Sequence, residues 1–297
     1  MMHHPSLSIY DEQLLEYINA DFEIKLLDDH CNFSEGPVWN KNGFYLFSDI
    51  PENIIYKITE TGTKEIYLKQ SGCNLSDTSL LSEQPGSNGL AYDAEGNLLI
   101  CQHGNGAVAK YDGKKLKTYI ASYNNIRFNS PNDIIVARDG TIFFSDPPYG
   151  LKKQKLNEEF AQPRAAIYCY SHGELKILSD LFQYPNGVCL SPNEKSLYCC
   201  STKENEKNVL EYDTETLQLK GVVARENSYG IKCDRYNNLY LSTDEGILIL
   251  NPDGKRLGLI SFPTVPANHC WGGEEGNDLL ITARHNIFLI KNLHKWD

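Results

Sequence analysis

Asn129-Ser130-Pro131-Asn132-Asp133-Ile134-Ile135-Val136-Ala137-Arg138-Asp139-Gly140-Thr141-Ile142-Phe143-Phe144-Ser145-Asp146 sets a polar cluster, a short apolar run, an Asp-Gly turn and a second apolar run in one stretch. Two β-branched and aromatic runs separated by Asp139-Gly140 predict adjacent antiparallel strands joined by a hairpin. The chain then repeats this pattern, and the repeat decides the fold.

The same unit occurs at Glu35-Gly36-Pro37-Val38-Trp39, Asn88-Gly89-Leu90, Asn132-Asp133-Ile134, Asn186-Gly187-Val188, Tyr229-Gly230-Ile231 and Asn268-His269-Cys270, each followed by a second apolar run. The units begin 53, 44, 54, 43 and 39 residues apart, and a further strand pair follows in the gaps. Four strands per repeat at this spacing predict an all-β, six-bladed β-propeller, with insertions in blades one and three. The last unit ends in a single short strand, so a strand from about Phe22 to Leu27 is expected to complete blade six and close the ring. Ahead of it, Leu14, Leu15, Tyr17 and Ile18 recur at helical spacing after Asp11, which predicts a short N-terminal helix. The expected division is an extension over residues 1–21 and a single propeller domain over 22–297.

Equivalent residues of radially arranged blades face equivalent places. The first residue of each innermost strand is therefore expected at the central axis, in the series Glu35, Asn88, Asn132, Asn186, Tyr229 and Asn268. Carboxylate and amide oxygens converging on one point suit a hard divalent cation. A single Asn in such a place is as well explained by its tolerance of turn conformations; the ring as a whole favours a metal or ligand site. The next slot reads Gly36, Gly89, Asp133, Gly187, Gly230 and His269, so Asp133 and His269 stand out beside axial positions.

A hydrophobic content of 41% with 23% charged residues is that of an ordinary globular protein. The net charge of -11 argues against nucleic acid, which is held by clustered cations. No apolar run reaches the roughly 20 residues that span a bilayer, and Met1 to Pro5 lack a signal-peptide pattern, so a cytoplasmic protein without membrane contact is expected. The nine cysteines form no Cys-x-x-Cys pair and mostly sit in apolar runs, which predicts buried free thiols. No Gly-x-Ser-x-Gly elbow and no phosphate-binding glycine loop occurs.

Glu35-Gly36-Pro37-Val38-Trp39, Arg127-Phe128-Asn129-Ser130-Pro131-Asn132-Asp133, Ser145-Asp146-Pro147-Pro148-Tyr149-Gly150 and Pro185-Asn186-Gly187-Val188 together resemble the SMP-30/gluconolactonase/luciferin-regenerating-enzyme-like family of six-bladed propellers. Cys101-Gln102-His103-Gly104 and Asn268-His269-Cys270-Trp271-Gly272-Gly273 are similar to its bacterial gluconolactonase branch. The resemblance implies a metal-dependent hydrolase opening sugar lactones or related esters. It also implies a divalent ion, Ca2+ first, with Zn2+, Mn2+ or Mg2+ as alternatives, held by Glu35, Asn132 and Asn186. Arg127, Asn129, Asn88, His103 and Tyr149 are then expected to contact substrate, and Tyr149 also to pack under a blade-three insertion, Leu151 to Arg164, that forms a lid.

The family's fifth-blade Asp, ligand and general base, is replaced by Tyr229. Three roles are open to it: a metal-bound tyrosinate, a phenol that hydrogen-bonds substrate while another group serves as base, or the mark of a site that has lost lactonase chemistry. Tyr229, His269 and Asp133 are thus the candidate catalytic residues. The alternative function is a diverged member that binds a small metabolite without hydrolysis or runs an isomerase or lyase step. The oligomeric state is not encoded in any of these features.

Overall fold

The computed structural model of the chain describes residues 6–295, so Met1 to Pro5 lie outside the described residues. Among the described residues six antiparallel sheets of four or five strands follow one another in chain order, with a two-stranded hairpin, Ser122–Tyr123 against Ile126–Arg127, between the second and third. In blade three, Ile134–Val136 pairs with Ile142–Asp146, which pairs with Ala166–Ser171 and then Glu174–Ser179. The hairpin predicted across Asp139-Gly140 is there, with Ile134 opposite Phe144 and Val136 opposite Ile142. Ring closure is also there: Ile24–Asp28 is the outer strand of blade six, antiparallel to Asn286–Ile290 with Ile24 opposite Ile290. A blade built from both ends of the chain ties the first and last blades together, leaving the ring no open end.

Apolar residues on these strands do not alternate with polar ones, because both faces of each sheet are buried. Alternation instead chooses the neighbour. Phe144 and Ile142 pack with Leu99 and Cys101 of blade two, whereas Phe143 between them packs with Val188 and Leu197 of blade four. Likewise Tyr45 and Phe47 meet Leu280 and Leu289 of blade six, and Leu46 turns to Leu98 and Ile100 of blade two. The core is therefore six apolar wedges, one between each pair of adjacent blades. All nine cysteines are free thiols.

The N-terminal helix is corrected to one turn. Asp11 accepts the Gln13 N–H at 2.9 Å ahead of the turn but is not its N-cap, a place Gln13 takes without a side-chain bond; only Leu14–Tyr17 is helical and Ile18 is already extended. Just before it, Leu7–Ile9 is a fifth strand on blade five, paired with Arg256–Ile260. Edge pairing satisfies the backbone in a way that a four-residue helix cannot, and Leu14 and Ile18 are buried between blades five and six. No described helix is long and apolar enough to cross a membrane.

The glycines of the second slot are explained at the axis. Neighbouring inner strands approach so closely that the Gly89 N–H donates to Asn132 O at 2.7 Å and the Gly187 N–H to Tyr229 O at 2.8 Å. A Cβ on Gly36, whose φ is +54°, would stand 2.0 Å from the Asn88 carbonyl oxygen. Gly36→Ala is expected to cost about 3 kcal/mol or more. Gly43→Ala, also at positive φ (+87°) but with open space around it, should cost only about 1 kcal/mol. Comparing the thermal midpoints of the two variants separates backbone strain from axial crowding.

Candidate functional site

In blades one, two and four the axial residue sits where the inner strand leaves regular pairing. Register slips occur between Glu35 and Val38, Ser87 and Leu90, and Pro185 and Val188. Such bulges free a residue from the ladder and re-aim its side chain. The second strands hold the ring from behind: Ser48 Oγ donates to Asn88 O at 2.8 Å and Ser145 Oγ to Asn186 O at 2.6 Å.

The side chains so aimed line one axial cavity of about 180 Å³, which holds Glu35, Asn88, Asn132, Asn186 and Tyr229 of the ring, with His103, Tyr149 and Arg284. That space suits a small metabolite. Asn268 is outside the lining; its Oδ1 accepts the His269 N–H at 2.9 Å.

Glu35 is buried and accepts the Gly36 N–H at 2.7 Å. Burial, with the Asp133 charge adding to it, pushes its carboxyl up to about 7. Asn88 Oδ1 and Asn186 Oδ1 are buried without a hydrogen-bond partner, and each such oxygen costs about 1–3 kcal/mol if left unsatisfied. A cation among these oxygens would relieve both the unpaired carboxylate and the orphaned amides, so the donor set fits a divalent ion. Among the described residues no three His, Cys, Asp or Glu side chains cluster. One carboxylate with amide carbonyls is a hard oxygen set, suited to Ca2+, Mg2+ or Mn2+ better than to Zn2+.

His103 is fully buried. Its Nδ1 lies 3.1 Å from Gln84 O and its Nε2 3.2 Å from Asn88 Nδ2. The carbonyl requires a proton on Nδ1, which leaves Nε2 to accept from Asn88. Burial lowers the ring to about 4, so His103 is neutral and fixes which way the Asn88 amide faces.

Tyr229 donates its phenol proton to Asp244 Oδ1 at 2.8 Å. Burial, then the Asp244 carboxylate, raises its pKa, while the Arg284 guanidinium hydrogen-bonds to the phenol and lowers it. The phenol is neutral, and its only proton is committed outside the ring. Towards the cavity it offers an acceptor. Tyr149 shares a hydrogen bond with Thr202 Oγ1 and packs tilted against Tyr184 with ring centres 5.7 Å apart. From the blade-three insertion one residue, Gln154, reaches the cavity lining.

Four residues singled out in the sequence lie outside the lining. Arg127 turns away from the axis: Nη2 donates to Gly104 O at 3.0 Å and the guanidinium covers the Phe160 ring at 4.2 Å. It braces the turn carrying His103. Asn129 is taken up by Asp146, whose carboxylate accepts the backbone N–H groups of Asn129 and Ser130 at 2.9 and 2.8 Å. Asp49 closes blade one in the same way on Asn32 and Phe33, so this is a structural device of the fold. Asp133 accepts the Val188 N–H at 3.0 Å and meets Lys232 Nζ at 3.3 Å. His269 is buried against Ser242 Oγ at 2.9 Å, and burial, then the Lys232 charge, holds its pKa well below the usual histidine value.

A second ring escaped the repeat reading. The residues just past the second strands, Ile50, His103, Thr202, Asp244 and Arg284, occupy one equivalent slot, set by pairs such as Ser34 with Asp49, Ser87 with Gln102 and Pro185 with Ser201. Ile50, His103, Thr202 and Arg284 line the cavity and Asp244 holds Tyr229. Aligning the repeats one strand further would have found them.

The geometry has known counterparts. Residues 33–285 match the SMP-30/Gluconolactonase/LRE-like region. A gluconolactonase from Zymomonas mobilis is 32% identical over 301 residues, covering 95% of this chain and 85% of the relative. A gluconolactonase structure from Xanthomonas campestris superposes with a TM-score of 0.84 at 26% identity, over 98% of this chain and 95% of that one. Regucalcin from Agrobacterium tumefaciens, described as a calcium-binding protein, shares the fold with a TM-score of 0.73 at 16% identity, over 93% and 96% of the two chains. With the match spanning nearly all of the propeller, the chain belongs to the SMP-30/gluconolactonase/LRE-like family.

Proposed function

We propose that this protein hydrolyses a sugar lactone in the axial cavity, with a divalent cation, Ca2+ first, held by Glu35, Asn132 and Asn186. The observation that carries this reading is the convergence of one buried carboxylate with amide oxygens that have no hydrogen-bond partner. Likeness to gluconolactonases supports a lactonase in particular. When bound, the cation supplies Lewis acidity, polarising the lactone carbonyl and lowering the pKa of water nearby.

The chain's own residues do the rest. Lactone opening adds water across the acyl C–O bond: the water loses a proton and the ring oxygen gains one. Tyr229 accepts the water's proton on its phenol oxygen while passing its own to Asp244 Oδ1, so the carboxylate missing from the fifth-blade slot acts one residue removed. This relay needs no free tyrosinate, in keeping with a phenol pKa raised by burial and Asp244. Neutral His103 holds Asn88 in one orientation towards substrate, and the Tyr149–Thr202 pair faces the substrate hydroxyls.

Glucono-, galactono- and other aldonolactones should open in the presence of Ca2+, Mn2+ or Mg2+ and stop opening with chelator. No metal-dependent rate on any of them, with the fold intact by circular dichroism, would refute the lactonase reading in favour of a binding or isomerase/lyase role.

A further inference from the structure

Arg284 sits in the turn between Asp278–Ala283 and Asn286–Ile290 of blade six. Its φ is +58° and its carbonyl accepts the Ser34 N–H at 2.7 Å, so the backbone is pinned to blade one at the rim of the axial cavity. Arg138, Arg164 and Arg256 are paired with carboxylates. Arg284 is in none of the ion pairs among the described residues, and it shares the cavity lining with only one other charged side chain, Glu35.

Its neighbour is Tyr229, whose phenol donates its hydrogen bond to Asp244 and whose oxygen feels the guanidinium charge. A guanidinium carries five N–H donors in a planar fork. One phenol oxygen leaves most of that fork for the cavity. Paired donors at fixed spacing match two oxygens of one anion, and the bonds are charge-assisted. The hydroxyls of a neutral lactone ring can meet the fork too, but without the charge that strengthens both bonds.

We propose that Arg284 selects lactones bearing an anionic oxygen group, carboxylate or phosphate, remote from the ester carbonyl. This rests on the lactonase reading of the same cavity.

The test compares kcat/KM of the full chain, supplied with Ca2+, for D-glucono-δ-lactone, its terminal phosphate ester and the lactone of D-glucaric acid. Wild type, Arg284→Lys and Arg284→Ala are measured on each. The expected result is a preference of about tenfold or more for one anionic lactone over the neutral one. Arg284→Ala abolishes that preference and Arg284→Lys, which keeps the charge but not the fork, retains part of it. Whichever anionic lactone is preferred identifies the group. Equal or poorer use of both anionic lactones, or an anionic-to-neutral ratio unchanged in Arg284→Ala, overturns the proposal.

Calorimetric titration with D-glucarate and with D-gluconate phosphate separates the two readings. Binding weakened about tenfold or more by Arg284→Ala upholds anion recognition even if no lactone is opened. Lactone opening without Arg284-dependent binding of either anion overturns it.

Discussion

Glu35→Gln lowers kcat/KM for lactone opening on the order of 10³-fold and weakens Ca2+ binding at least about a hundredfold. The substitution keeps the shape of the side chain and its contact with the Gly36 N–H, so the propeller stays folded and only the charge is lost. That charge matters because Glu35 is the single carboxylate lining the cavity, and cation affinity in oxygen sites follows the ligand charge count. The same residue sets a pH dependence. Its carboxyl is pushed up to about 7 by burial and the Asp133 charge, and the cation requires the ionised form. Below pH 7, affinity falls by about tenfold per unit; above it, affinity is level. Calorimetric titration of wild type between pH 5 and 8 reads this slope, and Glu35→Gln shows weak binding with no slope.

Tyr229→Phe and Asp244→Asn each lower kcat by about 10²-fold or more, the typical contribution of a positioned proton acceptor. Both remove one member of the same relay, so the double variant is little worse than either single one. Asp244 acts through Tyr229 and is a positioning residue. Its role is distinguished from a merely structural one by the pH–rate profile, whose basic limb moves when the carboxylate becomes an amide, while KM changes little. Tyr229→Asp is the reverse experiment. It puts a second carboxylate in the ring and is expected to raise Ca2+ affinity about tenfold or more. A Tyr229→Phe variant with unchanged kcat would rule out the relay.

The strands and the axial ring were legible because they depend on local rules. Apolar runs closed by Asp139-Gly140 and its equivalents specify hairpins, and a glycine beside four of the six axial residues reflects the close approach of neighbouring inner strands, as at Gly36 and Gly187. The directions of loop side chains were not legible. Arg127 and Asn129 stand next to Asn132 in sequence, yet backbone carbonyls claim the first and the Asp146 carboxylate the second. Sequence adjacency says nothing of which competing partner wins a polar side chain. His269 and Asp133 are misleading for the same reason, since they occupy a slot that faces the packed strands behind the ring. Arg284 and Asp244 went unseen because they fall after the second strand, where the repeat has no fixed residue type. The N-terminal helix failed through competition: Leu7–Ile9 gains a full edge pairing with blade five, and the remaining segment is too short to propagate a helix.

Anomalous diffraction from a crystal soaked in Mn2+ tests the central claim most directly. A single strong peak on the propeller axis, touched by oxygens of Glu35, Asn132 and Asn186 and lost in Glu35→Gln crystals, is the result predicted. Saturating Mn2+ with no peak at the axis, or a peak that persists without the Glu35 carboxylate, would contradict it.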